Sequence, residues 1–217
     1  MGCGHCRGVA LPRSATAPLA RTSIALLTGC LLVTAYLTVA LRAQVSPIAN
    51  VVSDYVFYHP GGALYVLAVV LLTAGGAVVV AGLASLGVPR SRLLNLFFGL
   101  WYTGLLLCAV FPTNRLSGDS SFSGDLHRLG GGTFLTSLPL AGWQLAKALR
   151  DDPRLRSLAV RIRQWAVAGL VLAAVFGLCQ LAPAPIADVQ GLLERLALGA
   201  EVALLLTIAT SLKRVTG

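Results

Sequence analysis

Polar residues in this chain arrive in clusters, and the stretches between them stay apolar for 18 to 24 residues at a time. A helix of about 20 residues rises about 30 Å, the thickness of a bilayer's hydrocarbon core. The pattern therefore predicts six membrane-crossing helices, at about 24–41, 63–86, 93–111, 129–148, 164–181 and 192–212. The expected fold is an all-α integral membrane six-helix bundle over 23–213. A flexible basic leader (1–22) precedes it and a short tail (214–217) follows it.

The boundaries carry their own signals. Pro60 suits the first turn of a helix beginning near Ala63. Pro112 stops the third run, because the residue before a proline is pushed out of helical backbone geometry. Pro183 and Pro185 stop the fifth. The first run competes with a cleaved signal peptide, since Arg21 precedes it. It exceeds the usual apolar core of about 7–15 residues, and Leu41-Arg42-Ala43 is a poor small-x-small cleavage site, so a retained helix is expected.

Composition agrees. With 56% hydrophobic residues, 12% charged and a mean hydropathy of +0.80, the chain falls far below the roughly 25% charged residues of a soluble domain. The net charge of +9 does not point to nucleic acid, because the cations sit between apolar runs. There they set topology. Counting Lys and Arg on alternate sides of the six runs gives 13 on the side of the two termini and 4 on the other. Both termini are expected in the cytoplasm of a plasma membrane, with the 42–62, 112–128 and 182–191 loops outward. Lysine supplies only two of 17 cations, which points to a GC-rich bacterial genome.

Cys30, Cys108 and Cys179 lie inside apolar runs and read as small hydrophobes. Cys3-Gly4-His5-Cys6 has the spacing of half a zinc site, with no second half. No glycine-rich phosphate loop, nucleophile-elbow or zinc-protease motif occurs.

Chemistry concentrates between Phe111 and Gly132, where a helix stop, a Ser/Gly/Asp loop and a histidine precede the next run. His127, close to a helix N-terminus, is expected to stay neutral and able to accept a proton or bind a metal. Alternatively it only hydrogen-bonds the loop. Asp125 is expected to cap that helix. Asp54 and His59 lie in the first outward loop, where they serve either as site residues or as turn formers. If packing brought His59 to His127, the pair could hold a metal or haem; no cofactor is otherwise expected. Glu201 lies deep in the sixth run and needs a hydrogen-bonding neighbour such as Asn95, Tyr102 or Gln180. Glu194, seven residues earlier, shares its face and extends a proton path outward.

Three segments carry a family resemblance: Ser53-Asp54-Tyr55, Phe111-Pro112-Thr113-Asn114, and His127 opening the fourth run. Over roughly residues 24–212 the chain resembles the prokaryotic membrane proteins grouped as domain of unknown function 998. The resemblance implies a six-helix membrane protein and supplies no mechanism. In that family an aspartate usually follows Phe-Pro-Thr, so Asn114 is a departure and removes an acidic ligand there.

Three functions are therefore expected to compete. In the first, an outward pocket binds or processes a lipid or small amphiphile, using His127, Asp54 and His59 with Glu194 or Glu201 as proton partner. The second is a proton-coupled transporter working through Glu201. The third is a non-catalytic accessory protein that uses the basic 147–163 connection to hold anionic lipid or a cytoplasmic partner; the expected partners are otherwise membrane lipids and either a second copy or an unknown membrane protein. No nucleophile stands out for a hydrolytic version of the first.

Overall fold

The computed structural model describes residues 16–88, 91–114, 121–181 and 186–214. Among them are six long helices: α1 Thr16–Ala40, α2 Gly61–Ser85, α3 Arg92–Val110, α4 Phe122–Leu149, α5 Arg156–Leu181 and α6 Gln190–Arg214. Two short 3₁₀ turns, Val52–Phe57 and Ile186–Val189, complete the regular structure. No strand occurs among the described residues.

Helices α1, α2, α3 and α5 are each long and apolar enough to cross a bilayer. Large apolar side chains such as Leu32, Val39, Leu106, Val110 and Leu178 stand exposed on them. Apolar surface on this scale suits lipid rather than water, so this is an all-α membrane protein. α4 and α6 carry more polar side chains, among them Asp125, His127, Arg128 and Lys147, and Glu194, Arg195 and Glu201. Packing explains the tolerance. α6 lies against α1, α2, α4 and α5, and α4 against α3, α5 and α6. A helix sheltered by its neighbours needs less lipophilic surface of its own.

Several boundaries differ from those expected. α1 starts at Thr16, so residues 16–22 of the expected leader are helical. α4 starts at Phe122, seven residues before the apolar run, which puts His127 in its second turn. Cys3, His5, Cys6, Arg90, Arg115, Asp119, Pro183, Pro185 and residues 215–217 lie outside the described residues.

Two features position the site. First, α3 and α4 approach backbone to backbone: a Cβ built on Gly104 would lie 2.7 Å from the Gly130 carbonyl oxygen, and one on Gly130 would lie 2.8 Å from the Gly104 oxygen. Only glycine permits this approach, and small residues are the usual means of close helix packing in membranes. Second, the chain after α1 folds over one end of the bundle. Val45, Val52 and the fully buried Tyr55 pack with Leu37 and Leu41, and the Leu192 amide donates to the Ile48 carbonyl at 3.0 Å. Residues 41–60 thus form a roof fastened to the start of α6.

Candidate functional site

The Phe-Pro-Thr-Asn segment lies across the start of α4. Phe111 ends α3 in extended geometry (φ −100°, ψ 117°), as a residue before proline should. Its carbonyl oxygen lies 2.8 Å from His127 Nδ1. A carbonyl only accepts, so Nδ1 carries the proton and Nε2 is left as the acceptor of the neutral ring. Ser123 donates to the Pro112 carbonyl at 3.1 Å, and Ser121 donates to Asn114 Oδ1 at 2.6 Å. The Cys108 thiol donates to the His127 carbonyl at 3.5 Å. Four contacts thus fix the imidazole and its helix to the end of α3.

Beneath the roof is a cavity of about 610 Å³, within the range of small-molecule sites. His127, Asp54 and Glu194 all line it. Asp54 is buried in the Val52–Phe57 turn and accepts from Asn50 Nδ2 at 3.2 Å. Burial pushes its carboxyl above the ordinary value of 3.8, an effect partly offset by the hydrogen bonds from Asn50 and Val51 and by the charges of Arg195 and His127. Glu194 Oε2 accepts from the Val52 amide at 2.5 Å, joining α6 to the roof.

Arg195 completes this end. Nη1 donates to the Asn50 carbonyl at 2.6 Å and to the Gly191 carbonyl at 3.0 Å, and Nη2 donates to the Tyr55 hydroxyl at 2.9 Å. That hydroxyl in turn donates to Thr38 Oγ1 at 3.2 Å. The guanidinium carbon lies 5.6 Å from the Tyr55 ring centroid, close enough for a cation–π contact. Sequence reasoning gave Arg195 no role beyond a charge to be counted, and Asn50 and Tyr55 none at the site. A cation in the second turn of an apolar helix is costly unless bonded, and that was the available signal.

The cavity is graded. Val52, Ser53, Asp54, His127, Glu194 and Arg195 line its roof end; Leu72, Leu105, Leu135, Ala173 and Val202 line it deeper. His127 to Leu135 on α4, and Glu194 to Val202 on α6, each span eight residues, or about 12 Å of helix. Two buried donors there, Asn114 Nδ2 and Arg195 Nε, have no hydrogen-bond partner among the described residues.

Other expected site residues fall elsewhere. His59 is exposed and does not line the cavity that His127 lines. Among the described residues no group of three or more His, Cys, Asp or Glu side chains could hold a metal. Asp125 is not the cap of α4: Ser121 Oγ accepts from the Gly124 amide at 3.1 Å, while Asp125 is exposed and 3.9 Å from Arg128. A serine one residue before the helix caps better than an acid already inside its first turn. The His127 ring is held at Nδ1 by the Phe111 carbonyl rather than by a carboxylate.

Glu201 is 1% exposed and outside the cavity lining. Its Oε2 accepts from Trp101 Nε1 at 3.3 Å, linking α6 to α3. The expected partners do not reach it: Asn95 is exposed, Gln180 donates to Gln190 at 3.0 Å, and the Tyr102 hydroxyl is buried without a partner among the described residues. The donor comes instead from Trp101, the residue beside Tyr102.

A family model described as protein of unknown function (DUF998) matches residues 24–211. The chain belongs to that family. Neither a curated protein nor a solved structure matches it. In this DUF998 chain the matched region includes all six long helices except the first turns of α1 and the end of α6. Asn114, with its side-chain oxygen on Ser121, occupies the position where the family resemblance anticipates an acid.

Proposed function

We propose that this protein crosses a bacterial plasma membrane six times, with both termini in the cytoplasm and the roof outward, and that its cavity binds a lipid or small amphiphile. The observation that carries this reading is the gradient inside one cavity: charged and hydrogen-bonding groups gather at the roof end, and the depth is mostly apolar, its Thr34 and Thr136 hydroxyls bonded to carbonyls of their own helices. An amphiphile matches such a gradient, because burying its tail removes apolar area from water while its polar group meets preformed donors and acceptors. The distribution of 13 and 4 cations supports the orientation.

Binding is favoured over catalysis. His127 Nε2 could take a proton from a bound molecule, but the ring is held by the Phe111 carbonyl rather than by a carboxylate and no hydroxyl or thiol is hydrogen-bonded to Nε2 among the described contacts. Glu201, bonded to Trp101 away from the cavity, serves the contact between α3 and α6 in this reading rather than a coupled proton.

The test is to purify the protein in mild detergent and analyse co-purifying lipids by mass spectrometry. One amphiphile class should be enriched over bulk membrane lipid, and His127→Gln, which keeps a donor for Phe111, should reduce that enrichment. Wild-type protein carrying only a bulk lipid profile would overturn the reading.

A further inference from the structure

One face of α4 changes its surroundings part-way along. Arg128, Gly132, Leu135, Pro139 and Gly142 follow at helical spacing and so share that face. Its lower half is covered by α5: a Cβ on Gly169 would touch the Pro139 ring at 2.8 Å, and one on Gly142 would lie 3.4 Å from Ala166 Cβ. Its upper half is not. Arg128 and Gly132 are exposed, yet both line the cavity.

The facing side of α5 changes in step. Ile162, Ala166 and Ala173 are buried, Phe176 is half-buried, and Gln180 is exposed; the last three of the series, Ala173, Phe176 and Gln180, line the cavity. The packed pairs fix the antiparallel register, which sets Gly132 level with Phe176 and Gly177, and Arg128 level with Gln180. A Cβ on Gly132 or on Gly177 would meet nothing within 4 Å. The two helices therefore hold together around Pro139 and part above it. Pro139 lies where the contact ends and supplies no amide to the helix ladder.

On the reading that the cavity takes an amphiphile, we propose that the parted halves of α4 and α5 form a lateral doorway. Through it one acyl chain of a phosphate-bearing membrane lipid passes from the bilayer into the cavity, while Arg128 at the rim holds the phosphate. The occupant follows from chemistry on both sides of the gap. Inside are Leu135, Ala173, Phe176 and Val202. At the rim is a guanidinium whose partner, Asp125, lies 3.9 Å away with both side chains more than 60% exposed. Such a pair is weak and yields readily to a phosphate, which guanidinium binds by paired, charge-assisted hydrogen bonds. Glycine at both edges keeps side-chain atoms out of the opening.

The test uses the full chain in bilayer nanodiscs with two photoreactive probes: a phospholipid with a diazirine near its acyl terminus, and a short-chain, water-soluble phosphate amphiphile that can enter from the roof. In wild type both should label peptides around Leu135 and Val202. Gly132→Phe and, separately, Gly177→Phe should lower phospholipid labelling there by roughly tenfold or more while the short probe still labels. Arg128→Gln should lower labelling by the phospholipid and not by a diacylglycerol probe. Unchanged phospholipid labelling in both phenylalanine variants overturns the doorway and leaves amphiphile binding standing. No labelling of wild type by either probe overturns the binding reading and the doorway with it.

Discussion

Arg195→Ala should free the roof. The side chain makes two hydrogen bonds across to the roof, to the Asn50 carbonyl and the Tyr55 hydroxyl, and stacks on the Tyr55 ring. Its third bond, to Gly191, stays within α6 and does not hold the two parts together. Each cross bond contributes about 1–1.5 kcal/mol net, and a partly exposed cation–π contact about 0.5–1 kcal/mol. Their loss thus removes about 3 kcal/mol of local stability, roughly a hundredfold in the opening equilibrium. Glu194 and the Leu192 amide remain as fastenings, so the helices themselves should stay assembled. The measurement is amide hydrogen exchange in detergent, read by mass spectrometry. Peptides covering residues 46–58 should exchange roughly a hundred times faster, and those within α2 and α5 should not change. Exchange in 46–58 equal to wild type would show that apolar packing of Val45, Val52 and Tyr55 and the Glu194 and Leu192 bonds hold the roof without Arg195.

Trp101→Phe removes the donor on Glu201 and should lower stability by about 1–3 kcal/mol, the cost of a buried acceptor left bare. A double-variant cycle with Glu201→Gln should give strong non-additivity, whereas simple addition in thermal unfolding would deny the contact. Gly104→Ala drives a methyl into the α4 backbone and should cost about 1–3 kcal/mol, with histidine NMR shifts showing that His127 has moved relative to Phe111. Asp54 carries a pH signature. Because its carboxyl holds a proton more tightly when folded than when unfolded, the folded state binds more protons between the ordinary value of 3.8 and the raised one. Stability should therefore fall as pH rises through that window. Asp54→Asn should flatten this segment of the profile of unfolding temperature against pH, and an unchanged slope would assign it to another group.

Residues 24–110 show how much could be read from letters. Three long apolar runs there became α1, α2 and α3, because lipid solvation of a single helix depends on side chains that follow one another in the chain. The stop at Pro112 is equally local, and the structure reproduces it at Phe111 in extended geometry. The start of α4 was misplaced for the same reason: hydropathy marks the apolar stretch, whereas the helix begins at its cap, Ser121, within polar sequence.

An apolar, helical membrane chain and a polar stretch around the start of α4 could be read from the letters, since both follow from neighbours in the chain. Which polar groups meet depends on how the helices pack. Arg195 reaches Asn50 and Tyr55 across 145 and 140 positions, and Trp101 reaches Glu201 across 100. His127 shares a cavity with Asp54 and Glu194, while His59 stays outside it. Such meetings depend on the distance and rotation at which helices pack, set here by Gly104 against Gly130 and by Pro139 against Gly169. A rotation of one residue, about 100° of helix, would turn any of these groups to a different neighbour.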